Sequence, residues 1–274
     1  AQTGCENGMV RFKQAIICLL FLPAWQQTYV SGLFYNMQFG RELRKRFFLD
    51  VKIQHIKAEQ IMRRNLKMIY YTSDLHFGQK SLLATGKWKE RPFETLEEMH
   101  AAQIKRWNDK VTNGDDIYIA GDVGARGYHN MFPELLAQLK GRKHLILGNH
   151  DDVSDLRVRQ QFVEIVNYKE LTDFSKGKKG KGNEACKVVV SHYPIMMWNG
   201  QHKGTILLYG HLHNTVDEKL FQQYLKEYNE ARPPKVSRGE TECRAFSVCQ
   251  CLWDYEPVSL DEILARNNKD IVIR

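Results

Sequence analysis

Ile69-Tyr-Tyr-Thr-Ser-Asp-Leu-His76 is a short apolar strand that runs directly into two polar side chains, and four later segments repeat the arrangement. Apolar runs at 116–120, 144–147, 187–190 and 206–209 lead into Asp122, Asn149, His192 and His211. Ligands of open α/β sheets bind beyond the carboxyl ends of the strands. These polar side chains are therefore expected to meet at one edge of a sheet.

Helical patterns lie between the predicted strands. Thr95-Leu-Glu-Glu98 forms a capping box, which predicts a helix from there to about Val111. Ser259 and Glu262 form a second capping box and predict a closing helix that ends at Arg266. The remaining patterns predict helices at 132–139, 154–162 and 218–228 and a late strand at 244–253. The alternation indicates an α/β fold.

The polar residues at the strand ends have the chemistry of metal ligands. Residues two apart on an extended strand end point the same way, so Asp74 and His76 can reach one cation. The mixture of carboxylate, imidazole and amide suits two divalent cations, and Mn, Fe or Zn fit it better than Ca. A pair of such cations can clamp the attacking and leaving oxygens of a displacement at phosphorus. The predicted ligands are Asp74, His76, Asp122, Asn149, His192, His211 and His213.

The order of these motifs resembles the calcineurin-like metallophosphoesterase superfamily from about Met68 to the C-terminus. The motifs are Asp-x-His, Gly-Asp, Gly-Asn-His-Asp, His and Gly-His-x-His. The strings at 71–78 and 208–214 are similar to those of its small bacterial and phage members. The resemblance implies a layered α-β-β-α fold, in which a β-sandwich is flanked by helices, and a metallophosphoesterase domain at 68–274 behind an N-terminal extension at 1–67.

The resemblance also implies two ligand sets that share one carboxylate. The first cation would take Asp74, His76, Asp122 and His213, and the second would take Asp122, Asn149, His192 and His211. A hydroxide bridging the two cations would then attack a phosphate mono- or diester.

Two further residues are assigned to the substrate by the same resemblance. His150 corresponds to the histidine that contacts phosphate and protonates the leaving oxygen, and Asn149 contacts phosphate as well. Arg126 keeps the spacing of a phosphate-binding arginine of the protein-phosphatase branch. Ala125 replaces the aspartate that partners the histidine there, and Gln79 stands where small relatives often have histidine.

Charge and aromatic residues limit the partners. The net charge is +8, but residues 1–67 hold 11 Lys and Arg against 4 Asp and Glu, which leaves 29 against 28 for the rest. A small phosphate ester is therefore expected rather than nucleic acid. Three aromatic residues near the motifs could stack on a base, so a nucleotide substrate stays an alternative. They are Phe77, Tyr193 and Trp198. The alternatives are a nuclease or nucleotide phosphodiesterase, and a scaffold that has kept the fold without catalysis.

The N-terminal segment permits three interpretations. Ala15–Trp25 is too short to span a bilayer but resembles a signal-like leader within 9–30. The segment could instead be a basic membrane-surface helix, or translated upstream sequence before a natural start at Met68.

Six scattered cysteines indicate reduced thiols. A cytoplasmic location is expected, and the alternative is an exported or membrane-associated protein if residues 9–30 act as a signal-like leader. Cys249-x-Cys251 is either half of a metal site or two positions of one strand.

Overall fold

Two four-stranded sheets form the part of the chain that the computed structural model describes, which is residues 67–125, 131–175 and 184–266. The first sheet has the order β1-β2-β3-β4, with strands Ile69–Thr72, Asp116–Ile119, Arg142–Ile146 and Phe162–Val166. The second has the order β5-β6-β7-β8, with strands Tyr168–Ser175, Glu184–Ser191, Ile206–Tyr209 and Arg244–Ser247.

Parallel pairing brings the motif-bearing strand ends to one edge in each sheet. All neighbours in the first sheet are parallel, and β1 and β2 pair in register from Ile69 with Asp116 to Thr72 with Ile119. In the second sheet β6, β7 and β8 are parallel, while β5 pairs with β6 antiparallel. The turns after β1, β2, β3, β6 and β7 carry all the predicted metal ligands.

Five helices among the described residues flank the sheets. The helices are α1 (Leu96–Lys110), α2 (Pro133–Leu136), α3 (Leu156–Arg159), α4 (Val216–Ala231) and α5 (Leu260–Arg266). The side chain of Thr95 accepts a hydrogen bond from the backbone N–H of Glu98, as the capping box predicts. Helix α1 buries Met99 and Trp107, so its apolar face packs inward.

The fold has four layers in the order helix, sheet, sheet and helix, and a cluster of buried apolar side chains lies between each neighbouring pair of layers. Trp107 of α1 belongs to a cluster with Ile117 and Leu145 of the first sheet. Tyr71, Tyr118 and Ile146 of the first sheet pack against Val188, Val190 and Leu208 of the second. Val189, Leu207 and Tyr209 on the opposite face of the second sheet pack against Leu225 of α4. The layered α-β-β-α prediction is confirmed.

The region between β3 and β6 differs from the sequence prediction. The helix predicted at 154–162 is one turn, Leu156–Arg159, and Phe162 already begins β4. Strands β4 and β5 were not predicted, because neither has a clear alternation of apolar and polar residues. In β4 a single residue, Val163, is exposed, and the others are half-buried. Helix α2 is also shorter than its prediction at 132–139.

The late strand is shorter than predicted. Strand β8 ends at Ser247, and residues 250–252 form a 3₁₀ turn. Cys249 and Cys251 therefore do not lie in one strand, and that interpretation of Cys249-x-Cys251 is wrong.

Several expectations fall on residues outside the described ranges. Arg126 and the N-terminal segment up to residue 66 are among them, so the predictions for both stay predictions. Within the described ranges, every helix is too short or too polar to cross a bilayer.

One buried hydrogen bond joins the two sheets and can be tested. The Tyr71 hydroxyl donates to Asp173 Oδ2 at 2.9 Å, from β1 to β5. Burial raises the pKa of Asp173, and this hydrogen bond acts against the rise. Tyr71→Phe should lower the free energy of unfolding by about 1–3 kcal/mol, because the carboxyl group loses its donor.

Urea denaturation measures this change, with Tyr224→Phe on the half-buried face of α4 as the matched control. Equal midpoints for the two variants would show that the hydroxyl does not hold the sheets together.

Candidate metal centre

The backbone is strained at five of the seven predicted ligands. Asp74, His76, Asp122, His211 and His213 have φ between 50° and 70°, the left-handed region that non-glycine residues seldom adopt. Such conformations cost about 1–3 kcal/mol each and persist where the surrounding structure fixes them, typically at functional sites. The left-handed backbone at the strand ends therefore sets the direction in which these five side chains point.

Two glycines allow these turns to approach each other. A Cβ on Gly121, where φ is 83°, would lie 2.5 Å from His192 Nδ1. A Cβ on Gly148 would lie 2.3 Å from Asp122 Oδ1. No larger residue fits at either position without moving a predicted ligand.

One group of predicted ligands gathers around His76. Its Nε2 lies 3.0 Å from His213 Nε2, 3.9 Å from Asp74 Oδ1 and 3.8 Å from Asp122 Oδ2. His213 Nε2 is also 3.4 Å from Asp74 Oδ1. The structure thus brings together the four side chains expected for the first cation.

A second group gathers around His192. Its Nε2 lies 2.9 Å from Asn149 Oδ1 and 3.5 Å from Asp122 Oδ1. The ligand atoms of Asp122, His192 and His211 all lie within 4.8 Å of one another. Asp122 therefore presents Oδ2 to the first group and Oδ1 to the second.

The donor set fits divalent cations. Asp74 and Asp122 are almost completely buried, and within the described residues their ion-pair partners are all histidines. Buried carboxylates need compensating positive charge. Two imidazole nitrogens 3.0 Å apart can share a single proton or bind one cation together.

The pKa shifts of His213 and Asp74 both favour a positive charge beside a buried carboxylate. Burial opposes the charged form of His213, but hydrogen bonds to Asp74 and Glu90 outweigh it and raise its pKa to about 10. Burial also opposes ionisation of Asp74, yet its contact with His213 holds the pKa well below the usual range.

The other shifts favour the uncharged form of each side chain, and for Asp122 a bound cation would have to act against that shift. Burial raises the pKa of Asp122, and the charge of Asp74 adds to the rise although His192 acts against it. Burial lowers the pKa of His76 and of His211, so both imidazoles are neutral and ready to bind a cation.

Hydrogen bonds on the far side of two rings fix their orientation. Glu90 accepts from His213 Nδ1 at 2.8 Å, and the carbonyl of Ala120 accepts from His192 Nδ1 at 2.8 Å. Each bond leaves Nε2 pointing into the centre, as is typical of histidine ligands. Sequence analysis missed Glu90, which has no motif around it and lies 123 positions from His213.

A buried polar cluster holds the turn that carries Asp74. The guanidinium of Arg91 donates to the carbonyls of Asp74 and Leu75 at 2.5 and 2.7 Å. Gln250 donates to both carbonyls at 3.0 Å, and Gln103 donates to that of Leu75 at 2.8 Å. These three side chains, also missed by sequence analysis, stabilise the strained backbone by satisfying its carbonyls.

Asp151 ties the turn after β2 to the turn after β3. Its carboxylate accepts from the backbone N–H groups of Asp122, Val123 and Gly148 at 3.0, 2.8 and 2.8 Å. Burial raises the pKa of Asp151 to about 6, although these hydrogen bonds act against the rise. Asp151 thus positions Asp122 relative to Asn149.

The other residues named from the sequence lie in different places. His150 borders the first group, with Nε2 3.8 Å from Asp122 Oδ2 and its ring edge-on to His76. Gln79 is buried and contacts the side chain of Ser81 rather than a ligand. Phe77 and Trp198 are core residues, so neither offers a stacking face.

The stacked sheets and the histidine–carboxylate centre at their strand ends define a metallophosphoesterase fold. The family model for calcineurin-like phosphoesterases matches residues 68–274, and the chain belongs to this family.

Three relatives and one solved structure are similar to the chain. The uncharacterized protein MJ1445 of Methanocaldococcus jannaschii is 28% identical over 211 residues, which cover 77% of this chain and 97% of that protein. The Gene 66 proteins of Mycobacterium phages D29 and L5 are each 26% identical, over 54% and 53% of this chain and 79% and 77% of their own lengths. A protein of unknown function from Aquifex aeolicus, AQ665, superposes with a TM-score of 0.47 at 20% identity, covering 73% of this chain and all of that one.

Asp151→Asn tests the link between the two turns. The amide would place an NH₂ against a backbone N–H, so the position of Asp122 relative to Asn149 should loosen. Manganese affinity should fall by about 10–100-fold, the usual effect of losing a group that orients a ligand.

Isothermal titration with Mn²⁺ measures the affinity. Asp152→Asn is the matched control, because Asp152 accepts from the backbone N–H of Ser154 instead. If both variants bind Mn²⁺ as tightly as the natural chain, Asp151 does not position the centre.

Proposed function

We propose that this chain hydrolyses a small phosphate mono- or diester with two divalent cations, which are Mn, Fe or Zn. Membership of the family supports a metal-dependent phosphoesterase in general. The observation that carries the dinuclear proposal is Asp122, whose two oxygens face two separate groups of ligand atoms. When bound, the two cations would supply a hydroxide from a shared water and offset the negative charge at phosphorus.

Three side chains have separate roles in the proposed reaction. Asp122 holds the two cation positions at a fixed separation, and Asn149 contributes an amide that fits either a cation or a phosphate oxygen. His150 lies at the edge of the centre with its side chain 16% exposed, so a substrate can reach it. We assign it the proton that the leaving oxygen needs.

Tyr193 supports a substrate with an aromatic group. Its side chain is 47% exposed, and its ring lies 4.5 Å from that of His211 and 4.9 Å from that of His192. An exposed ring this close to the ligands can stack on a base while the phosphate lies at the cations. A nucleotide or a related small ester is therefore our proposed substrate class.

The test of the proposed reaction is hydrolysis of phosphate esters by the full chain with added Mn²⁺. We expect turnover of p-nitrophenyl phosphate or its bis-ester, and loss of turnover in Asp122→Ala together with loss of bound metal. A chain that binds two cations yet cleaves neither ester would favour the non-catalytic scaffold.

The proposed role of His150 predicts different losses of kcat on two phosphate esters. His150→Gln should lower kcat by about 10²–10⁴-fold on a phenyl ester, because phenolate needs a proton as it leaves. The loss should be smaller on the p-nitrophenyl ester, whose leaving group departs without one. Metal content should stay unchanged.

The matched control is His202→Gln, since His202 stacks on Tyr228 of α4 outside the ligand groups. Equal losses on both esters would contradict a proton-donating role.

Tyr193→Ala tests the substrate class. Stacking of a base on an aromatic side chain is worth about 1–3 kcal/mol, so KM for a nucleoside ester should rise by about 5–150-fold. KM for a methyl ester should change little, and Tyr193→Phe should keep the stacking. Equal changes for the two esters would argue against a base-binding ring.

A further inference from the structure

A thiol lies against the first group of ligands. The Cys249 sulfur, a carboxylate oxygen of Asp74 and a ring nitrogen of His213 all lie within 4.8 Å of one another. Cys249 is completely buried, so its sulfur faces the protein interior and the centre rather than solvent. Neither the motif order nor the two ligand sets drawn from it include this residue.

The backbone holds Cys249 beside the turn that carries Asp74. Ser73 and Cys249 form an isolated parallel bridge, and the N–H of Gln250 donates to the carbonyl of Ser73 at 3.2 Å. The side chain of Gln250 donates to the carbonyls of Asp74 and Leu75 as well. Residues 249 and 250 therefore move with Asp74, and the sulfur keeps its place relative to the carboxylate.

A second thiol adjoins the first without joining the ligand group. Cys251 Sγ lies 3.1 Å from Cys249 Sγ, and both cysteines are reduced. Among the described residues, Cys249 is the thiol in the 4.8 Å group with Asp74 and His213, whereas Cys251 acts on His213 through its charge alone. Cys251 thus provides a control thiol at a neighbouring position.

We infer that Cys249 is a sulfur ligand of the cation held by Asp74 and His213, an assignment that rests on the proposed function. On binding, the S–H bond breaks, a sulfur–metal bond forms and the proton passes to solvent. Zinc–sulfur and zinc–nitrogen bonds of about 2.3 and 2.0 Å place two donors on one ion roughly 3.5 Å apart. The 4.8 Å limit on the group of three exceeds that spacing by about 1.3 Å at most.

The assignment changes the metals expected at this position. Thiolate is a soft ligand, and it shifts a carboxylate–imidazole site away from Mn and towards Zn, Fe or Co. The two cation positions then differ in chemistry, since the group around His192 contains only oxygen and nitrogen donors among the described residues.

Cobalt(II) tests the assignment directly. The full chain loaded with Co²⁺ should show a sulfur-to-cobalt charge-transfer band in the near ultraviolet, together with the visible d–d bands that report bound cobalt. Cys249→Ser should lose the near-ultraviolet band and keep the visible ones. Cys251→Ser should keep both.

Three results would overturn the inference. Bound cobalt without the charge-transfer band in the natural chain removes the sulfur ligand and leaves the proposed function intact. Loss of the band in Cys251→Ser but not in Cys249→Ser assigns it to the other thiol. Failure of the natural chain to bind cobalt at all contradicts both the inference and the dinuclear function. The first result needs no variant, so misfolding of Cys249→Ser cannot obscure it.

Discussion

Negative charge buried at the meeting point of the strand ends is the constraint behind this structure. Asp74 and Asp122 are almost free of solvent, and their charged partners among the described residues are histidines. Removing an ion from water costs several kcal/mol, which mutual attraction offsets only when a partner is well placed. The high pKa of His213 is one response to that demand. Divalent cations would be a stronger response, because they compensate both carboxylates at once.

The strained turns and their supports follow from this requirement. Five left-handed residues at about 1–3 kcal/mol each are a substantial cost in a domain of marginal stability. Arg91 offsets part of it by satisfying the carbonyls after β1, and Asp151 does the same for the N–H groups after β2 and β3. The polar clusters outside the ligand groups thus serve the same purpose, because they hold the predicted ligands in their strained conformations.

The sequence predicted the parts of the molecule whose cause is local. Thr95 and Glu98 predicted the start of α1, and short apolar runs before Asp74 and Asp122 predicted β1 and β2. The layered fold followed from the motif order. Strands β4 and β5 were missed because they are stabilised by pairing with β3 and β6 in the folded chain, which no alternation in their own residues indicates. Glu90 was missed for the same reason, since only the folded chain places it beside His213. Cys249 was named only as half of a metal site with Cys251, because the sequence does not show that it lies beside Asp74.

His150 differs from the ligands in how it is held, and this bears on the substrate. Ala125 occupies the place where protein phosphatases have an aspartate partner, and His150 Nδ1 has no hydrogen-bond partner within the described residues. Edge-on packing against His76 therefore fixes the plane of the ring more than its hydrogen bonding. In the proposed reaction, a bound phosphate ester would complete the hydrogen bonding of His150, so alignment of this residue as proton donor would become part of substrate binding. Esters too small or too distant to contact His150 would then bind at the cations and react slowly.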